Sequence, residues 1–344
     1  MMMNNYSDTP AISIVMAVHD NADDIERHLP LFLQQEYKGE VQVVIVDESS
    51  TDGTSDVLKR FCHQHNNIYV SFVPPTSRYV SRRKLALTIG VKAAKHEWVL
   101  FCDITCYPSD NHWLESLAST ISEDTEMVVG LTVCSADTTR AMQFFHAEES
   151  ARVMAWGSRG KAIRYNGKAL AIRKQLFLST NGFLNNLKFK RGEYDYLVNE
   201  HGANRVIATH CDNKHHLIIR RHSQHSWINE QLFYKDTYRH LQRRTAWTLI
   251  HILFTVATAL AYLIPLAAIV IAAYLSQWLW MGIAIGIEMI AYAMHAWLKG
   301  RRLRRVALNM PYALIPLFSL RSMMHKAWIA LRYAISDKSE YIRR

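Results

Sequence analysis

Residues 100–108 read LFCDITCYP. The apolar run Val99–Cys102 passes directly into Asp103 and then Thr105, so one carboxylate stands where metal-assisted chemistry asks for two. A second apolar run, Val41–Val46, ends in Asp47-Glu48-Ser49-Ser50-Thr51-Asp52-Gly53-Thr54. Asp52-Gly53 is a turn signal, and Thr54 or Ser55 suits a helix cap. No turn requires Asp47 or Glu48. Two acids at the tip of an apolar strand suit hydrogen-bond acceptance from a base or a sugar edge. A further polar end, His19-Asp20-Asn21, follows Ile12–Val18. His210, Asp212, His215 and His216 lack the second ligand pair of a zinc site and read as a polar loop. The five cysteines show no metal-ligand pairing and read as reduced thiols.

The elements that must position these acids follow from periodicity. Ile12–Val18 and Val41–Val46 are continuous β-branched runs, as strands covered on both faces should be. Tyr69–Val73, Val99–Cys102 and Met127–Val133 predict further strands. Helical spacing over Asp23–Gln35 places Ile25, Leu29, Phe32 and Leu33 on one side, and Ser55–His65, Arg82–Lys95 and Asn111–Ser122 read as further helices. This alternation predicts an α/β domain over 11–245 with a mostly parallel, Rossmann-like sheet, whose ligands bind at the carboxyl ends of the strands. Neither the G-x-G-x-x-G fingerprint nor the P-loop pattern occurs, which removes the usual support for a dehydrogenase or an NTPase.

The runs ISIVMAVHDNADDIERHL, VVIVDESSTDGT and SRRKLALTIGVKAAKHEWVLFCDITCYP resemble the inverting family 2 glycosyltransferases, over roughly residues 11–245. The resemblance implies a GT-A fold and a nucleoside-diphosphate sugar, with Asp47 and Glu48 receiving the base and ribose. It places Asp103-Ile104-Thr105 at the D-x-D element, which binds a divalent cation (Mn²⁺ or Mg²⁺) and the diphosphate. Here Thr105 replaces the second acid and brings an oxygen without charge, so Asp103 and Thr105 would hold the cation weakly. Arg82, Arg83 and Lys84 open a helix, and Arg83 and Lys84 are expected at the diphosphate. Lys190–Leu197 is similar to the family's acidic motif, one of whose acids deprotonates the acceptor. Tyr194 takes its middle position, leaving Glu193 and Asp195 as the candidate base. The stretch from Trp227 to Tyr234 keeps a Trp and a Gln of the family's Q-x-x-R-W element, with Asn229 among its departures. Tyr165–Arg173 resembles the acceptor-side segment, with Lys168 and Asn166 out of the usual order.

The chain has 344 residues, 49% of them apolar, and a net charge of +10. From Lys299 onward eleven Lys or Arg stand against Asp337 and Glu340. Residues 246–298 hold Glu288 as their one charged residue, enough for two crossings at roughly 20 residues each. Arg243-Arg244 before and the Lys299–Arg305 run after place both ends on the cytoplasmic side. Residues 1–10 are polar and lack the apolar core of a secretory signal. The expected organisation is a polar extension (1–10), a cytoplasmic GT-A domain (11–245), a helical transmembrane hairpin (246–298) and a basic amphipathic tail (299–344). Within the tail, Val306–Leu320 reads as interfacial or re-entrant because of Pro311 and Pro316, and Ser322–Ile335 as an interfacial helix. The expected location is the inner, cytoplasmic membrane, multi-pass. The expected function is transfer of a sugar to a lipid-linked or other cell-surface glycan, with no nucleic-acid partner. The alternative is a GT-A-like scaffold for polysaccharide assembly without catalysis. A processive synthase would need more than two crossings.

Overall fold

The computed structural model describes residues 9–75, 81–157, 164–165, 167–201, 206–220, 223–242 and 244–337. The chain opens with β1 (Ile12–Val18), α1 (Ala22–Leu33), β2 (Val41–Asp47), α2 (Thr54–Gln64), β3 (Ile68–Phe72), α3 (Arg82–Ala93) and β4 (Trp98–Cys102). The pairs β1–β2, β2–β3 and β1–β4 are parallel. All of β1 is buried because helices cover both faces: Ile14 and Met16 pack on the α1 side, Val15 and Ala17 on the α3 side.

Next come β5 (Cys106–Pro108), α4 (Trp113–Ala118), β6 (Thr125–Gly130), β7 (Thr132–Cys134), α5 (Arg140–Gly157), β8 (Ala169–Arg173), α6 (Lys174–Ser179), α7 (Glu193–His201), β9 (Val206–His210), β10 (Leu217–Ile219) and α8 (Gln224–His240). The main sheet has the order β3-β2-β1-β4-β8-β6-β9, with β8 antiparallel to both neighbours. A small sheet, β5-β10-β7, stands beside it.

Met127–Val133, expected as one strand, is two strands in two sheets. Residues 127–132 are buried without interruption, so the apolar run shows no break in its pattern. The break falls after Gly130, where a Cβ would lie 2.8 Å from the Ala169 Cβ of β8. Leu131 then donates its N–H to His210 and the chain enters the small sheet.

The C-terminal part is α9 (Arg244–Tyr274), α10 (Trp278–Arg305) and α11 (Ile315–Ile335). By length and composition α9 and α10 suffice to cross a membrane. Most of their apolar side chains are exposed, Ile264 at 62% and Met289 at 68%. α10 continues through Lys299–Arg305, so that basic run is the end of a helix and not a separate segment. α11 also starts earlier than expected. Pro316 lies in its first turn, where a missing N–H costs nothing, and therefore opens the helix that it seemed to block.

α10 and α11 are pinned to the α/β domain through Glu148 on α5. Its carboxylate accepts from Lys299 Nζ and Lys326 Nζ, each at 2.7 Å, and from the Ser322 hydroxyl at 2.6 Å. Burial would raise the Glu148 carboxyl, but Lys326 and Lys299 outweigh it and hold the group well below the carboxylate range. Tyr333 on α11 donates to Asp236 on α8 at 2.7 Å.

Candidate active site

The polar groups converge at the carboxyl ends of β1, β2 and β4, where a doubly wound sheet leaves its crevice. Asp47 ends β2, and its Oδ1 accepts from the Ser50 N–H at 2.9 Å and the Ser50 hydroxyl at 2.6 Å. Asp52 ties the same loop to α1, accepting from the N–H groups of Ala22 and Thr54. Asp47 and Asp52 thus shape the loop that presents Glu48. Burial raises the Glu48 carboxyl against the opposing pull of Arg83 and Arg191.

Arg83 is the hub. A helix that opens with three cations works against its own dipole unless acids oppose them. Arg83 Nη2 donates to Asp103 Oδ2 at 3.0 Å, and its Nη1 to the Ala17 carbonyl at 3.3 Å. It therefore bridges the ends of β1 and β4. Burial alone would weaken its charge, but Asp103, Glu193 and Glu48 all act to keep it protonated.

Asp103 is 8% exposed and saturated. Besides Arg83, Lys168 Nζ lies 3.5 Å from its Oδ2. Its Oδ1 accepts from the Thr105 N–H at 3.2 Å and the Thr105 hydroxyl at 2.9 Å. Burial would raise this carboxyl; Arg83, Lys168 and Thr105 outweigh it and push it far below the usual range. Thr105 spends its hydroxyl proton on Asp103. Among the described residues no three His, Cys, Asp or Glu side chains group to hold a metal. As arranged, this donor set does not fit a divalent cation, since its one carboxylate already opposes two positive charges.

Lys168 was not singled out as a site residue from the sequence, and β-sheet register explains its place. Cys102 pairs with Ala169 across the antiparallel β4–β8 ladder, so Asp103 and Lys168 emerge side by side. Glu230 on α8 sits 3.6 Å from the other side of Lys168. Lys168 was visible in the chain as a motif departure, but the antiparallel insertion of β8 was not.

Lys84, expected at the diphosphate, faces the opposite way. Its Nζ donates to the carbonyls of Asn186 and Phe189, each at 2.7 Å, and it has no exposed surface. One position along a helix turns a side chain by about 100°, which is enough to separate it from Arg83. Burial lowers its ammonium to about 8.

The two candidate bases also separate. Asp195 is 2% exposed, accepts from the Tyr165 N–H at 3.0 Å and lies 3.8 Å from Arg164. It is committed to the fold. Glu193 opens α7 with its Oε1 enclosed and without a hydrogen-bond partner among the described residues. Burial would raise Glu193, but Arg83, Arg191 and Lys84 outweigh it and lower its carboxyl. Gly192 sets this orientation: its φ of +86° disfavours any side chain, and a Cβ would lie 2.4 Å from Thr237 of α8. Tyr194 packs against Phe101 with ring centroids 5.9 Å apart, filling the core where the resembling motif has an acid.

The histidine loop resolves into ordinary polar contacts. His215 meets Asp110 at 2.8 Å, and Ser116 contacts both His210 and Asp212.

Residues 13–178 match the family model described as Glycosyl transferase family 2. The chain carries a family 2 glycosyltransferase domain. It is 27% identical over 117 residues to glycosyltransferase AglE of Haloferax volcanii, covering 34% of this chain and 37% of that protein. It is 28% identical over 147 residues to the putative teichuronic acid biosynthesis glycosyltransferase TuaG of Bacillus subtilis, covering 41% and 54%. The matches thus span about a third to a half of these curated relatives. The mannosyltransferase PcManGT of Pyrobaculum calidifontis, solved with GDP-Man and Mn²⁺, shares the fold at a TM-score of 0.50 and 18% identity. That likeness covers 94% of this chain and 88% of the other. The transferase domain is therefore of GT-A type, a mixed α/β sheet followed by two long apolar helices.

Proposed function

We propose that the chain transfers a monosaccharide from a nucleoside-diphosphate sugar to a lipid-linked glycan at the cytoplasmic face of a membrane. The observation that carries this reading is Arg83, which gathers the ends of β1 and β4 and is faced by Glu48, Asp103 and Glu193. Asp47 and Glu48 receive the base and ribose as acceptors. The diphosphate lies against Arg83 and Lys168. The acceptor hydroxyl attacks the anomeric carbon as the bond to the diphosphate oxygen breaks. Its proton passes to Glu193, and the leaving nucleotide keeps the bonding electrons, its charge met by the two cations. A divalent cation was the expectation from D-x-D, and PcManGT was solved with Mn²⁺. Here Arg83 and Lys168 stand where such an ion would neutralise charge, and no step above requires one.

α9 and α10 are read as a membrane hairpin with both ends cytoplasmic, supported by their length, their exposed apolar surface and the basic run that ends α10. The test uses full-length protein in detergent with a panel of nucleotide sugars. Nucleotide release that disappears in Glu193→Gln supports catalysis. A chain that neither binds nor turns over any donor would be the scaffold. Reporters after residues 244 and 305 that read on opposite sides would overturn the hairpin.

A further inference from the structure

Beside the catalytic crevice, α5, α8 and α11 enclose a cavity of about 370 Å³. Its walls include Arg140, Phe145, Trp227, Phe318, Arg321 and His325. The floor is aromatic: Trp227 and His325 stack with centroids 4.4 Å apart and planes 12° off parallel, and Phe145 meets both edge-on. Two polar atoms in this floor, Trp227 Nε1 and His325 Nε2, are enclosed and lack a hydrogen-bond partner among the described residues. Trp227 is only 6% exposed. An orphaned buried N–H costs about 1–3 kcal/mol, and a cavity with such a donor is suited to a ligand that accepts from it.

The rim adds charge. Arg140 and Arg321 are exposed, and no carboxylate pairs with either among the described residues. Nearby Lys326 differs, since Glu148 and Glu149 take it up. From Arg321 and His325 a more open groove runs along α11 past Leu317, Leu320, Met324 and Trp328. These four lie at helical spacing on one exposed face, with Leu317 at 61% and Met324 at 65%. The cavity therefore has a cationic, donor-bearing end and an apolar run leading away from it, beside two helices of membrane length.

We propose that this cavity seats the phosphate head of a membrane lipid whose chain lies along the α11 groove. Resting on the transferase reading above, it assigns the acceptor's carrier: a lipid bearing its glycan through phosphate. Two guanidinium groups and the Trp227 N–H suit phosphate oxygens, and the apolar run suits the hydrocarbon. The register on α8 links the two sites. Trp227 is one helical turn from Glu230, which reaches Lys168 and through it Asp103. A glycan attached at the cavity thus begins next to the donor's diphosphate.

The test is calorimetric binding of farnesyl phosphate to the full chain in detergent, with farnesol and inorganic phosphate as the two half-ligands. The expected result is binding at least tenfold tighter than either half-ligand. Arg140→Gln combined with Arg321→Gln should weaken it at least tenfold, and Trp227→Phe, which keeps the ring and loses the N–H, severalfold. Equal affinity in the arginine double variant would overturn the proposal. So would inorganic phosphate binding as tightly as farnesyl phosphate, which marks a free-anion site. Donor hydrolysis in the same preparations reports separately on the transferase reading, because water replaces the acceptor there.

Discussion

Arg83→Met removes the cation around which the crevice is arranged. At 3.0 Å and an effective dielectric of about 20, the Arg83–Asp103 attraction is roughly 5 kcal/mol before desolvation. Breaking a buried pair by deleting one partner costs about 3–5 kcal/mol, since the other charge is left buried. Lys168 and Thr105 still serve Asp103, which places the expected loss at about 3 kcal/mol, the lower end of that range. For a chain of this size that is a fall in Tm of about 4 °C at pH 7. The pH dependence has a definite sign. The Asp103 carboxyl is lowered in the folded state, so its contribution is present above the unfolded value near 4 and is lost as pH falls below it. In Arg83→Met that carboxyl rises toward its unfolded value, so less stability is lost on acidification and the Tm gap between parent and variant narrows as pH falls toward 3. Asp103→Asn added to Arg83→Met should recover about 2 kcal/mol, because the orphaned charge is gone. The assay is thermal unfolding in detergent from pH 3 to 8. Arg83→Met melting within about 1 °C of the parent at pH 7, or a Tm gap that stays constant from pH 8 to pH 3, would refute the account of Arg83 as the hub.

Glu193→Gln should lower kcat about 10²–10⁴-fold with the fold intact, whereas Asp195→Asn should lower Tm, because it weakens the Tyr165–Arg164 anchor. With Glu193 lowered by Arg83, Arg191 and Lys84, the acid limb of kcat/KM should fall below the ordinary glutamate range near 4.3; a limb at 6 would exclude it as the base. Glu48→Ala should weaken nucleoside-diphosphate binding by about 1–3 kcal/mol without a change in Tm, and calorimetry that shows unchanged affinity removes Glu48 from the pocket. Thr105→Asp adds a carboxylate beside Asp103 and should create Mn²⁺ binding that the parent lacks, read by the quenching of nucleotide-free protein fluorescence. Parent protein that binds Mn²⁺ equally well would show that Arg83 and Lys168 do not displace a cation. Gly192→Ala should destabilise by about 2 kcal/mol and reduce turnover through Glu193, and a fully active, equally stable variant would remove Gly192 as its positioning residue.

Much of the chain was legible in its local pattern, since that pattern is written by burial. Continuous apolar runs marked β1, β2 and β4 because strands covered on both faces have no polar side to show. Asp47, Glu48 and Asp103 could be placed at the carboxyl edge of the sheet because each follows directly on such a run, and that edge is where a parallel sheet opens. The long segment with Glu288 as its one charged residue declared α9 and α10 by length and composition. What the local pattern could not carry was the set of contacts between distant segments. The antiparallel entry of β8 put Lys168 beside Asp103, sixty-five positions away, and turned a half metal site into an ion cluster. The 100° step of a helix sent Arg83 into the crevice and Lys84 into the core, though the two are neighbours with the same charge. Glu193 and Asp195 were equivalent as letters. Only the packing of α7, set by the left-handed turn at Gly192 against Thr237, left the Glu193 Oε1 without a partner among the described residues and gave Asp195 to Arg164 and Tyr165. Composition and spacing record which side chains must be buried or wet, whereas the partner that each buried charge finds is settled by tertiary register.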